Sequence, residues 1–158
     1  SVHNAAVGYW TIGTGCMAAS NSLSAYDHSF PAGLLEAAVQ CAADQSPVLL
    51  VGYDTPTVGP LTSVTDSRGL LAVALVIAPE RTSRSVASFD WSIESSDGQF
   101  PAPHSEAART LAQINPMAHA RGLLEALAAD AASSASTLAL PLSAALSLRL
   151  SLQPLIND

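Results

Sequence analysis

The sequence predicts an α/β domain with a mixed sheet, and three observations carry that prediction. Apolar residues recur at helical spacing in two separated stretches, over Ser29 to Ala43 and again after Asn115-Pro116. Between them lie two continuous apolar runs, Val48-Leu49-Leu50-Val51 and Leu70 to Ala78, of the kind shown by strands covered on both faces. Further on, apolar and polar residues alternate strictly, which marks strands with one wet face. Helices interleaved with buried strands, followed by half-exposed strands, define the class.

Taken in order, the segment from Asn4 to Gly13 encloses AAVGYWTIG, apolar nearly all round, and reads as either a buried helix or a strand, helix being favoured with Asn4 near its N-cap. The next run, TGCMAASNSLSA from Thr14 to Ala25, is small and tolerant of extended backbone, and predicts a buried strand toward its end. Ser29 is placed to cap the following helix, and Pro31 falls where a missing N–H costs nothing. Leu34, Leu35, Ala38, Val39 and Ala42 form its apolar stripe, and Gln45-Ser46-Pro47 stops it. Tyr53 to Arg68, with Pro56, Gly59 and Pro60, predicts a loop.

In the second half, Ala87, Phe89, Trp91 and Ile93 alternate with Ser88, Asp90, Ser92 and Glu94, which predicts a strand antiparallel to its neighbour. Gly98 to His104 reads as a connection. Asn115-Pro116 opens an Ala-rich helix to about Ala131, burying Leu123, Leu124 and Leu127, with Ser133 to Ser136 as its stop. Two alternating strands follow, one through Leu138, Leu140 and Leu142 and one through Leu146, Leu148, Leu150 and Leu152, as a hairpin around Ser143-Ala144-Ala145.

The chain has 158 residues, of which 49% are apolar and 12% charged. It reads as one domain over residues 1–158 with a sizeable core. With so few charges, much of the surface must be Ala, Ser, Thr and Leu, which predicts a protein partner. Thirteen acids face six arginines and no lysine, a net charge of −7. Such a balance argues against nucleic acid and anionic lipid as partners. Without lysine there is no Walker-type phosphate loop and no Schiff base. Cys16 and Cys41 form neither a disulfide framework nor a metal-ligand spacing, and are expected as buried reduced thiols of a cytoplasmic protein. No apolar run reaches the roughly 18–20 residues of a membrane span.

The densest polar cluster is Tyr26-Asp27-His28-Ser29, between a predicted strand and a helix N-terminus, where dipole and free N–H groups favour negative charge. Asp, His and Ser side by side are not a triad, because consecutive side chains diverge. The plainer reading is that Asp27 and Ser29 cap the helix. Gly13-Thr14-Gly15-Cys16-Met17-Ala18 formally fits G-x-G-x-x-A, yet Asn21 and Ser22 interrupt any helix opening at Gly15, so no dinucleotide is expected. His3, His28, His104 and His119 show no i, i+4 pairing and are assigned structural or surface roles, His119 facing solvent from its helix. No metal or cofactor is expected.

Several runs resemble the beta-ketoacyl synthase-like family of the thiolase fold, specifically its short members. SVHNAAVGYWTIG is similar to the segment leading to the nucleophile, and AGLLEAAVQCAADQSPVLLVGYDTP to the nucleophile helix and the next core strand. GLLAVALVIAPE resembles the following strand, and NPMAHARGLLEALA with LALPLSAALSLRLSL the C-terminal helix and strands of the short members. The resemblance implies a thiolase-like half-unit, helix on sheet on helix, with the family's upstream strands outside this sequence. Aligning Leu50-Val51-Gly52 with its counterpart and counting back places the nucleophile position at Asp27. Active members carry cysteine there, activated by the helix N-terminus. They also take two histidines from a second copy of the unit, for which this chain has no room.

The resemblance therefore implies a non-catalytic partner of an active ketosynthase, a chain-length factor shaping the tunnel for a growing acyl or polyene chain. Aryl-polyene, polyketide or fatty-acid-like pathways are its expected setting, with an acyl carrier protein reached through the complex. Asp27, with Tyr26, His28 and Ser29, would be a vestigial nucleophile site. Gly15, Met17, Ala19, Asn21 and Leu23 would lie at the subunit interface. Two alternatives stand beside this reading. One is a small acyltransferase or thioesterase using Asp27-His28-Ser29 or Cys16; the other is a stand-alone acyl-binding module.

Overall fold

The computed structural model describes residues 4–65, 67–100, 106–128 and 135–154. Helix α1 spans Ala5–Thr14, α2 Ser29–Asp44, α3 Glu106–Ile114 and α4 Ala120–Ala128. The strands are β1 (Val48–Asp54), β2 (Leu71–Ile77), β3 (Ala87–Ser95), β4 (Ser136–Pro141) and β5 (Leu146–Pro154). The α/β class read from the sequence holds. Among the described residues, however, every strand pairing is antiparallel and the strands form two sheets, β1-β2 and β3-β5-β4.

One core joins both sheets. Phe30 and Leu34 of α2, Met117, Leu123 of α4, and Leu148, Leu150 and Leu152 of β5 are all buried, and Leu50, Val73 and Leu75 pack against them from the first sheet. Leu148, Leu150 and Leu152 share one face because side chains alternate along a strand. Each such leucine contributes about 1.5–3 kcal/mol by leaving water. The predicted β4–β5 hairpin is present: Leu138 faces Leu150 and Leu140 faces Leu148, around a turn through residues 142–145. On the opposite face, Glu94 of β3 and Arg149 of β5 form an exposed ion pair at 3.2 Å. The wet face expected from the alternation along β3 is therefore present.

Gly52 marks where β1 and the segment after α3 come closest. A Cβ there would stand 2.7 Å from Met117 Cε and 3.4 Å from Phe30 Cδ2. A side chain here would require the flexible end of Met117 to move aside.

Four expectations are corrected. The β1 and β2 runs are not covered twice: alternate residues are half-buried and exposed. Leu49 (49% exposed) faces Val76 (71%), and Val51 (52%) faces Ala74, making an apolar outer face. The predicted helix at residues 5–13 is present as α1, but none of its residues is buried. The run Thr14 to Ala25 does not form a strand. Gly15 adopts the left-handed conformation (φ 65°) and ends α1, returning its N–H to Ile12 O, and an irregular segment follows. Small residues tolerate extended backbone without enforcing it, and no neighbouring strand supplies a ladder here. Lastly, α3 stands at 106–114, where the sequence reading assigned nothing.

The Asn115-Pro116 start is as expected: Asn115 Oδ1 accepts the Met117 N–H at 2.9 Å. One short 3₁₀ turn, Pro116–His119, precedes α4. The expected continuation of that helix to Ala131 and its stop at Ser133, like His3 and His104, lie outside the described residues.

Candidate functional site

The turn that delivers Asp27 is tightly built. Tyr26–His28 form a single 3₁₀ turn, and Tyr26 sits at φ 50°, a left-handed conformation uncommon for a residue with a bulky side chain. Ser29 holds this turn in place. Its hydroxyl accepts the Ala25 N–H at 2.9 Å and donates to Tyr26 O at 2.6 Å, while His28 N–H donates to Ala25 O at 3.0 Å. A hydroxyl has one proton to give. Ser29 gives its proton to a backbone carbonyl, so it is not hydrogen-bonded to a base as an activated nucleophile would be. The residue at the N-cap of α2 is His28 and no side chain caps the helix, which corrects the expectation that Asp27 and Ser29 do so. Phe30 and Pro31, both buried, fix the first turn of α2 in the core.

A second wall comes from residues 115–119. Asn115 is 2% exposed, its N–H donating to Leu111 O at 3.0 Å. Three residues per turn in the 3₁₀ segment carry His119 round to the side of α2. Its ring centroid lies 6.2 Å from that of His28, with the planes tilted by 40°. The expectation of a solvent-facing His119 is therefore corrected: it is half-buried beside the Asp27 turn. Burial pushes its pKa below the usual histidine value, the neighbouring His28 pushes in the same direction, and Asp27 opposes both.

The rim is completed by Val64 and Thr65 of the connection between β1 and β2. That connection is pinned: the Ser67 hydroxyl donates to the Asp54 carboxylate, Thr57 N–H donates to Ser67 O at 2.9 Å, and Arg68 N–H donates to Ile114 O at 2.8 Å. The result is a cleft of about 370 Å³ whose polar lining includes Asp27, Thr65, Gln113, Asn115 and His119. Two polar atoms beside it, His28 Nδ1 and Asn115 Nδ2, are buried without a hydrogen-bond partner. A buried polar atom left unpaired costs roughly 1–3 kcal/mol, so these two distinguish the cleft from ordinary surface.

Of the sequence-predicted residues, Asp27, His28 and Ser29 are brought together, and Tyr26 is exposed at the same turn. Cys16 precedes Asp27 by 11 residues (27 − 16) and is half-buried after α1, while Cys41 is buried in the last third of α2. Gly15, Met17, Ala19, Asn21 and Leu23 are all exposed, Met17 at 96%. It is tied down by Asn21 Nδ2 donating to Glu36 Oε1 at 3.3 Å and Ser22 Oγ donating to Asn4 Oδ1 at 2.9 Å. Asn115 and His119 were not singled out as site residues. The available signal was the Asn-Pro start, which implied a tight turn presenting whatever followed it. Among the described residues, no three His, Cys, Asp or Glu side chains are placed to hold a metal ion.

The described residues form an α/β unit of antiparallel strands packed on helices, with a polar cleft at a helix N-terminus, consistent with a thiolase-like half-domain. A family model described as the beta-ketoacyl synthase N-terminal domain matches residues 1–137, and the chain belongs to that family. No curated protein and no solved structure matches it.

Proposed function

We propose that the chain is a non-catalytic ketosynthase-like subunit, of the chain-length-factor type, that pairs with an active ketosynthase and shapes the tunnel receiving its growing acyl or polyene chain. The observation that carries this reading is the carboxylate of Asp27 at the turn before α2, the position to which counting back from Leu50-Val51-Gly52 assigns the nucleophile. A carboxylate is comfortable beside a helix N-terminus, but it does not replace a thiolate in accepting an acyl group from a thioester and passing it on by condensation. Neither cysteine stands at that turn.

The exposed apolar surface supports a partner. Ile12 (81%) in α1, Met17 (96%) after it, and Val51 and Val76 on the outer face of β1 and β2 are large apolar side chains left exposed. Aryl-polyene, polyketide and fatty-acid-type assembly fit the reading as settings, with a carrier protein contacting the complex.

Co-expression with a ketosynthase of such a pathway tests it. A stable heteromer is expected, and Asp27→Ala in that heteromer should leave condensation essentially unchanged. A covalent acyl adduct on this chain after incubation with acyl-carrier thioesters, found by intact mass, would overturn it in favour of a small acyltransferase or thioesterase. The hydrogen bonding of Ser29 and the distance in sequence of Cys16 from the turn weigh against that second reading.

A further inference from the structure

We infer that two copies of this chain pair by exchanging α1, each laying its helix on the outer face of β1 and β2 in the other. The inference is independent of the ketosynthase reading. It stands on two surfaces that the chain's own packing leaves bare.

The first surface is the helix. Tyr9, Trp10 and Ile12 project from α1 at 54–81% exposure, and none of its ten residues is buried. The second is the outer face of β1 and β2. There the register sets Leu49 against Val76, Val51 against Ala74 and Tyr53 against Ala72, six side chains without a charge. Ala72 and Ala74 leave a shallow strip beside the larger residues of β1, on which a helix can settle. The dimensions agree. Ten helical residues extend about 15 Å and seven strand residues about 23 Å, so one helix fits along the pair of strands.

A single copy does not bring these surfaces together. Ser22 Oγ donates to Asn4 Oδ1 and Asn21 Nδ2 to Glu36 Oε1, which tethers α1 beside α2. α2 packs on the inner face of β1, where a Cβ on Gly33 would stand 3.4 Å from Leu50 Cδ1. The helix is thus held on one side of the sheet and the bare face looks out from the other. They meet only between copies.

Charge and area both admit a like copy. Each chain carries a net charge of −7, so two can approach only where acids are absent. No Asp, Glu or Arg occurs before Asp27, and Asp54 at the end of β1 is half-buried, its carboxylate accepting the Ser67 hydroxyl. A membrane surface fits less well, because helices that lie on one carry Lys or Arg along a polar face and α1 has neither. Exchange about a twofold axis buries both surfaces on each copy. Aromatic side chains carry about 150–250 Å² each, so Tyr9, Trp10 and Tyr53 bring on the order of 350 Å² at their exposures. Ile12, Leu49, Val51 and Val76 raise this toward the roughly 800 Å² per partner of a stable interface.

The test is sedimentation velocity of the full chain, where a dimer with a dissociation constant of about 1 µM or tighter is expected. Trp10→Ser on the helix and Val51→Lys on the sheet should each weaken dimerisation at least about 30-fold. Both positions are exposed, so far-UV circular dichroism should not change. Mixing the two variants is the decisive measurement. One chain keeps an intact face and the other an intact helix, so a mixed dimer regains one of the two contacts and forms at lower concentration than either variant alone. Ile12→Ser and Val76→Lys replace either variant that does not fold. A chain still monomeric at about 100 µM would overturn the inference, as would a dimer that neither variant weakens. So would loss of the dimer in both variants without recovery on mixing, because like surfaces would then be pairing with like.

Discussion

Helices α1 and α2 are built from similar residues and meet opposite fates. α1, AAVGYWTIGT, contains no charged residue, yet none of its ten residues is buried. α2 carries Glu36 and Asp44, yet buries Phe30, Pro31, Leu34, Ala37, Ala38 and Cys41. What separates them is arrangement, not hydrophobicity. A helix with one apolar stripe is satisfied by one packed layer, whereas a helix apolar all round must be covered on every side. The layer that would surround α1 is absent from the described residues. The outer face of β1 and β2 repeats the pattern, with Leu49, Val51 and Val76 outside and Leu50, Val73 and Leu75 inside. Apolar sequence thus records two surfaces, one packed among the described residues and one that they leave exposed.

The sharpest way to break that comparison is to truncate one residue from each helix. Leu34→Ala should destabilise the chain by about 2–5 kcal/mol, because it leaves a cavity among Phe30, Leu123 and Leu150. Ile12→Ala in α1 should change stability by no more than roughly 0.5 kcal/mol. Urea unfolding of the two variants measures both. Equal losses would mean that α1 is packed in solution. Next in size is Gly52→Val, which drives a branched side chain into Met117 and Phe30 and should cost about 1–3 kcal/mol by overpacking. Gly52→Val with Met117→Ala should recover part of that loss, since the methionine end is the nearest obstacle.

The stripe of α2, the alternation along β3 and the leucine hairpin of β4 and β5 were legible because each is a period written into adjacent residues. The runs that became β1 and β2 gave their positions but not their exposure. A wholly apolar strand looks the same whether its second face is buried or awaits a partner. The segment 15–25 misled because Gly, Ala and Ser permit extension without requiring it. Half of the cleft was visible at Tyr26 to Ser29. The other half was not, since His119 and Asn115 meet Asp27 only across a sequence separation of 88 or more (115 − 27), and no local pattern encodes that meeting. α3 is amphipathic, but it is short and its apolar side rests partly on alanine, so little bulk apolar sequence announces it.

His119 supplies a prediction that bears on the packed side alone. Its pKa in the folded chain is lowered, chiefly by burial and then by His28. The unfolded chain therefore takes up a proton first as pH falls below about 6.5. Stability should be flat above that value and decline as pH drops through the window between the unfolded and folded pKa. His119→Gln should flatten this part of the pH profile of urea unfolding, apart from the carboxylates that titrate lower. A profile identical to that of the parent would show that His119 is solvated.

The smallest effect on stability should come with a large effect on association, and that pairing tests what the bare surface is for. Ile12→Ser, Val51→Thr and Val76→Thr together remove exposed methyl groups that touch little of the folded chain. β-Branched threonine keeps the preference for extended backbone in β1 and β2. Unfolding in urea should shift by no more than about 1 kcal/mol across all three, as exposed, separated changes usually do. A heteromer that covers this face would lose apolar burial at three points and should fall apart in size-exclusion chromatography at micromolar concentration. Should the triple variant instead be badly destabilised as an isolated chain, α1 and the outer sheet face belong to its own core. Should it assemble undisturbed, the partner binds elsewhere.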